Sequence, residues 1–168
     1  KSHHNVGLDM GGLLQLHPFE HLFKYEVRAL AKEIELPESV WNRQPFPGPG
    51  LLLRVVGVPA NQDKLGIVRW ADARVREILV REGLYDKISQ LVVAYLGLNT
   101  VGVKGDARTY QGSIGIRAVE TVDFMTARGL WFPEHIVQEI THKLTSHPEV
   151  VHASFWPTDK PPATIEFE

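Results

Sequence analysis

The chain contains no cysteine. A disulfide framework and a thiolate zinc site are thereby excluded, and the composition fits a reducing compartment. An excess of one charge is also missing: 18 basic residues stand against 20 acidic ones, for a formal net charge of −2, with no basic run or Lys/Arg stripe. Such a chain has no long-range attraction for nucleic acid or anionic lipid. No apolar run approaches the ~20 residues that a bilayer-spanning helix needs, so no membrane partner is expected. No secretory signal is visible, although the chain opens on Lys1 rather than Met. What is present is ordinary for a globular protein, 43% hydrophobic and 23% charged over 168 residues. That length fits one domain plus a piece of another, and folding buries about 70% of the unfolded surface without staples.

The segment Pro45-Phe46-Pro47-Gly48-Pro49-Gly50 divides the chain. Its prolines give up backbone donors and fix φ, so neither a helix nor an interior strand runs through it. Before it, Phe23, Val27, Leu30 and Ile34 recur at helical spacing within Pro18–Leu36, and a short helical turn follows at Glu38–Trp41. After it, the continuous apolar run Leu51–Val58 reads as a buried strand, broken only by Arg54 and Gly57. Asn61 caps a helix whose inner face is Leu65, Val68, Ala71, Val75, Ile78 and Leu79. Strands are expected at Ile88–Leu96, Val101–Lys104, Gly112–Val119, Val150–Trp156 and Ala163–Phe167. A second amphipathic helix starts at Pro133 and carries Ile136, Val137, Ile140 and Leu144. The pattern predicts an α+β fold, a two-layer domain with helices on one face of a largely antiparallel sheet. A sheet with its other face partly uncovered points to a partner subunit.

Three stretches carry chemistry. Lys1, His3, His4 and Asn5 sit in a polar, Gly-bearing opening, where a lysine and imidazoles suit an anion and proton transfer, or else form a solvated end. In Val103-Lys104-Gly105-Asp106-Ala107-Arg108, an extended backbone would set Asp106 and Arg108 side by side as acceptor and forked donor. The same residues also suit a plain hairpin turn. Near the end, Pro161 and Pro162 stiffen the chain after Lys160, whose ammonium could grip an anion. Glu166 could accept two hydroxyl hydrogen bonds, as from a ribose, or simply belong to a charged tail.

The phrases KSHHNVG, PFPGPG, YDKISQ, VGVKGDARTY, RAVETVDFMTA and KPPATIEFE follow one another in this order. Together they closely resemble the C-terminal part of glutamine-hydrolysing GMP synthase, over essentially the whole chain. The resemblance implies a cytoplasmic ligase that converts xanthosine monophosphate to GMP. ATP with Mg²⁺ would adenylate the purine C2 oxygen, and ammonia from a glutaminase domain or subunit would displace AMP. It implies that residues 1–44 end an ATP-pyrophosphatase domain, that 45–50 form the seam, and that 51–168 are a homodimerisation domain. By the same resemblance Gln90, Asp106, Arg108, Lys160 and Glu166 contact the substrate nucleotide. Lys160 and Gln90 would take the phosphate, and Glu166 the ribose or Lys160. Lys1, His3, His4 and Asn5 would match a lid that closes over ATP, offsets phosphate charge and excludes water.

Departures from the family pattern are Gln44 for His, Leu96-Gly97-Leu98-Asn99 for a Leu-Pro-Val-Arg-like run, Gly7-Leu8-Asp9-Met10 for Gly-Gly-Leu-Pro, and Phe167 for Trp. The chain has neither a Ser-Gly-Gly-x-Asp-Ser pyrophosphate loop nor a cysteine for glutamine hydrolysis. Two other classes compete: a homodimerisation module without ligand, and an RNA-binding α+β domain. The latter is disfavoured by the absence of an aromatic RNP-like strand and of a basic face. The purified 168-residue chain is expected to make no GMP from ATP, ammonia and xanthosine monophosphate; robust turnover in that assay would refute the assignment of its missing parts.

Overall fold

A computed structural model of the chain describes residues 11–12, 16–46, 48 and 50–167. The chain forms two compact units, Lys1–Arg43 and Gln44–Glu168. In the first, helix α1 spans Lys24–Glu33, shorter than the apolar spacing predicts. Turns closed by the Glu20 N–H on His17 O and the Leu22 N–H on Phe19 O occupy the residues before it. The helix begins where Glu26 Oε2 accepts the Phe23 N–H at 2.6 Å, one half of a capping box. Helix α2 covers Glu38–Trp41. No residue of α1 is buried, and Phe23, Leu30 and Ile34 of the expected stripe are exposed.

The second unit holds a five-stranded sheet. Its strands are β1 Val55–Val56, β2 Gln90–Lys104, β3 Ala107–Glu120, β4 Arg128–Gly129 and β5 Val150–Phe155. The β2–β3 and β3–β4 pairs are antiparallel, while β1 joins β2 and β5 joins β3 in parallel. Helices α3, Gln62–Arg81, and α4, Glu134–Thr145, cover one face, which is the α+β architecture expected. Asn61 caps α3 by accepting the Lys64 N–H at 2.9 Å. The inner face of α3 packs with Ile136, Ile140 and Leu144 of α4 onto Leu91, Val93, Ile114 and Ile116 of the sheet. Those strand residues alternate with ones on the opposite face, as strand geometry requires.

Four expectations give way. Leu51–Val58 is not one strand: a 3₁₀ turn spans Gly50–Arg54 and only Val55–Val56 pairs. An apolar run does not by itself distinguish a turn from a strand; here the leucines of the turn stay half-buried or exposed, and the turn lets Arg54 be buried and bonded. The two strands expected at Ile88–Leu96 and Val101–Lys104 are one, β2, with a register irregularity between Leu96 and Thr100. β3 begins at Ala107, well before Gly112. Ala163–Phe167 forms no strand, because Pro161 and Pro162 remove ladder donors and the side chains beyond them bond elsewhere. The second sheet face is partly covered by the chain's own tail: Val92, Val119, Ala127 and Ile165 cluster there, with Phe124 and Phe167 against them.

The end of β2 is fastened to the helix layer. Lys104 Nζ donates to Thr145 O at 3.2 Å and to His147 O, capping the C-terminal end of α4. His147 packs on Trp70 with ring centroids 4.7 Å apart, and its Nδ1 accepts the Glu149 N–H at 3.2 Å. Burial holds the imidazole below its usual value; Glu149 opposes this and the Lys104 ammonium adds to it. The unfolded chain takes up this proton near pH 6.5, where the fold keeps the ring neutral. The stabilisation is therefore complete above that value and lost as pH falls through the lower, folded one. Thermal melts between about pH 7 and 5 should show Tm falling more steeply for the wild type than for His147→Phe, and equal slopes would refute this. Leu144→Ala, at a fully buried position, should cost about 2–5 kcal/mol in urea unfolding.

Candidate functional site

The Pro/Gly segment brings two side chains to the free edge of β2. Gln44 Nε2 donates to Ile88 O and its Oε1 accepts the Leu91 N–H, both at 3.0 Å. One amide thus donates and accepts at the same edge, so no titrating ring is needed here. Arg54, only 1% exposed, takes the other backbone group of Leu91, donating from Nη2 to its carbonyl at 3.3 Å. Its Nη2 also donates to Glu166 Oε1 at 3.2 Å, and Nε donates to Oε2 at 3.4 Å. Nη1 reaches Asp72 Oδ1 at 3.5 Å, and Phe46 lies against the guanidinium, 4.6 Å from ring centroid to Cζ. Asp72 in turn accepts from Arg76 Nε at 2.5 Å, and Arg76 bonds the Tyr85 hydroxyl. Burial, above all, raises that phenol.

Gln90 opens β2 and faces away from the helices, next to the tail. Its Nε2 donates to Glu166 Oε1 at 2.7 Å, joining residues 76 positions apart. Lys160 lies farther back on the same tail. Its backbone exchanges hydrogen bonds with Ala127, at 2.8 and 3.0 Å, and its Nζ donates to Phe124 O at 2.8 Å. The loop before Ala127 is closed by its own side chains. Asp123 Oδ1 accepts the Met125 N–H at 2.9 Å and Thr121 Oγ1 accepts the Phe124 N–H at 3.0 Å. Phe124 is held at φ 64, a region costly for a bulky residue. Beside it lies a cleft of about 870 Å³, lined among others by Lys87, Ser89, Glu120, Arg128, Asp159 and Lys160. Asp86 and Asp123 line it as well, so the charge of its walls is mixed, and Lys87, Arg128 and Lys160 are the groups there that could meet an anion.

The expected site residues divide into three groups. Gln90 and Glu166 meet directly, with Lys160 on the adjoining tail. The cation paired with Glu166 is Arg54, not Lys160. Asp106 and Arg108 stand apart and exposed, at the end of the β2–β3 hairpin. Asp106 lies in the two-residue turn between the paired Lys104 and Ala107, with Gly105 at φ +61, so extended alternation does not apply across it. At about 3.3 Å per residue, β2 carries that turn on the order of 40 Å along the strand from Gln90. Lys1, His3, His4 and Asn5 lie outside the described residues.

Two buried arginines are not singled out by the sequence reading. The signal for each was a lone charge inside an apolar run, Arg54 within Leu51–Val58 and Arg117 within Ile114–Val119. Arg117 is buried and donates from Nη1 to Trp156 O at 2.8 Å, while its Nε and Nη2 have no partner among the described residues. Its burial lowers its pKa. Phe167 stacks edge-on against Trp156 with centroids 5.2 Å apart, a packing role that needs no ring N–H.

The family described as GMP synthase C terminal domain matches residues 77–167. The chain is 47% identical to a glutamine-hydrolyzing GMP synthase subunit of Pyrococcus furiosus, over all of this chain and 54% of the relative. It is 45% identical to the corresponding subunit of Methanocaldococcus jannaschii, with the same coverage. Against the glutamine-hydrolyzing GMP synthase of Plasmodium falciparum it is 44% identical over all of this chain and 31% of the relative. The chain thus spans about half the length of the first two relatives, and less of the longer third one.

The tail's course past β4 depends on Gly129. A Cβ there would collide with the backbone carbonyl of Pro157, and the Gly129 N–H donates to Asp159 Oδ1 at 2.8 Å. Gly129→Ala should therefore destabilise by about 1–3 kcal/mol. Urea unfolding checks this, and an unchanged midpoint would show that the tail moves aside freely.

Proposed function

The chain belongs to the GMP synthase C-terminal domain family, and from that premise we propose that it is the C-terminal portion of a glutamine-hydrolysing GMP synthase. Such an enzyme amidates xanthosine monophosphate to GMP with ATP and ammonia. This portion supplies part of the nucleotide site and dimerises. The ammonia comes from a glutaminase domain or subunit, and the cytoplasm is the compartment we assign. No nucleic-acid or membrane partner is invoked; among the described residues no helix is long and apolar enough to cross a membrane.

The 2.7 Å bond between Gln90 and Glu166 is the observation that carries the site reading; the cleft lined by Lys160 is formed by other residues, among them Asp86, Ser89, Glu120, Arg128, Asp159 and Pro161. In this reading Lys160 and Gln90 take the phosphate. Each has donors to spare, since the ammonium has three and the amide two, with one used in each case. Glu166 takes the ribose. No group of three or more His, Asp or Glu side chains suited to a metal ion occurs among the described residues. Nothing here is routed through a Mg²⁺ ion. ATP binding is assigned to the rest of the enzyme and to the segment of Lys1, His3, His4 and Asn5.

Asp106 and Arg108 enter this site from a second copy. The hairpin that bears them is held to the end of α4 through Lys104, while Leu98, Val101, Val103 and Tyr110 are exposed, and its length keeps its tip from Gln90 of the same chain. In a two-fold dimer each tip would reach the partner's nucleotide. A homodimerisation module without ligand is the second reading, favoured by the fact that Gln90 donates directly to Glu166.

Calorimetry with xanthosine monophosphate separates the two. Lys160→Ala should weaken binding by roughly 10- to 100-fold without loss of fold, whereas an absence of binding to the wild type would favour the module. Mixing Arg108→Ala with Lys160→Ala subunits tests the dimer. Exchange in trans should restore about a quarter of the sites, and no recovery would place Arg108 and Lys160 in the same chain's site or in none.

A further inference from the structure

We propose that Arg54 is the positioning residue of the nucleotide site, holding Glu166 so that a single acceptor position, on Oε2, is left for one ligand hydroxyl. The inference rests on the reading of Glu166 as the ribose-binding residue. An ionised carboxylate offers about four lone-pair positions. On Glu166, Oε1 already accepts from Gln90 Nε2 at 2.7 Å and Arg54 Nη2 at 3.2 Å, and Oε2 accepts from Arg54 Nε at 3.4 Å. One position therefore remains, and a pair of neighbouring ribose hydroxyls cannot both be gripped by this side chain.

Arg54 acts through Glu166 rather than on the ligand, since it is 1% exposed where the Glu166 side chain is 14% exposed. Nor does it swing with its partner. Asp72 anchors Nη1 at 3.5 Å, itself held by Arg76 at 2.5 Å, and Phe46 backs the guanidinium plane at 4.6 Å. Leu91 O fixes Nη2 from the sheet at 3.3 Å. A lysine has no rigid fork with which to serve two carboxylate oxygens, a second carboxylate and a carbonyl together.

The test uses the protein at its full native length. Calorimetry compares xanthosine monophosphate with its 2′-deoxy and 3′-deoxy analogues. One analogue should bind roughly tenfold more weakly or worse, and the other should lose little. Equal losses for both would overturn the single-hydroxyl arrangement, while no loss for either would overturn the ribose reading of Glu166 beneath it. Steady-state kinetics then compare Arg54→Lys, Glu166→Gln and the double variant. Arg54→Lys should raise KM for xanthosine monophosphate roughly tenfold with kcat nearly kept. In the Glu166→Gln background it should add almost nothing. Additive losses, or a fall in kcat at constant KM, would assign Arg54 a purely structural role. If Arg54→Lys does not fold, the analogue comparison decides alone.

Discussion

A guanidinium removed from water has to be met by hydrogen bonds on every side, and Arg54 is such a group. Leaving a buried charge unpaired costs several kcal/mol, so the chain must bring acceptors to it. It does so from three places: the Leu91 carbonyl in β2, Asp72 in α3 and Glu166 in the C-terminal tail. The tail cannot run elsewhere without stranding that cation. The course of residues 157–167 follows from this constraint, together with the close approach that Gly129 allows. The proposed nucleotide site therefore depends on an ion pair whose cation, Arg54, is itself out of a ligand's reach.

The same network explains why the Pro/Gly segment matters beyond joining two units. It ends in a 3₁₀ turn that points Arg54 inward, and it begins beside Gln44, which holds the same edge of β2 through Ile88 and Leu91. Gly50, at φ 66, opens that turn, and the polar side chains of Gln44 and Arg54 do the gripping. On the second sheet face, the small cluster around Val92, Val119 and Ile165 seals the tail against the sheet. Arg117 beneath it is incompletely bonded among the described residues, a cost that the burial of the surrounding apolar groups must outweigh.

Much of the fold was legible where one period dominates. The inner face of α3 and that of α4 were read residue by residue, because burial against a sheet requires apolar side chains every three to four positions. Leu51–Val58 and Ala163–Phe167 were misread as strands. In neither does the apolar composition translate into burial throughout, since Leu52 is exposed and only Ile165 is buried in the second run; a single charged side chain, Arg54 or Glu166, ties each backbone to a partner more than a hundred residues away. The splitting of β2 into two expected strands has a similar cause: Gly97 and Asn99 look like breakers locally, yet the ladder to β3 resumes beyond them at Thr100.

The sequence by itself determined the α+β class, the inner faces of α3 and α4, the turn at Gly105 and the family, because these rest on short-range periods, backbone preferences and ordered motifs. It also named the residue types of the proposed site. Only the tertiary structure decided that Glu166 pairs with Arg54 instead of Lys160, that Gln90 reaches that same carboxylate, and that Asp106 and Arg108 stand at the far end of a long hairpin. Those outcomes are matters of distance and available lone pairs between segments far apart in the chain, and no local pattern of side chains encodes them.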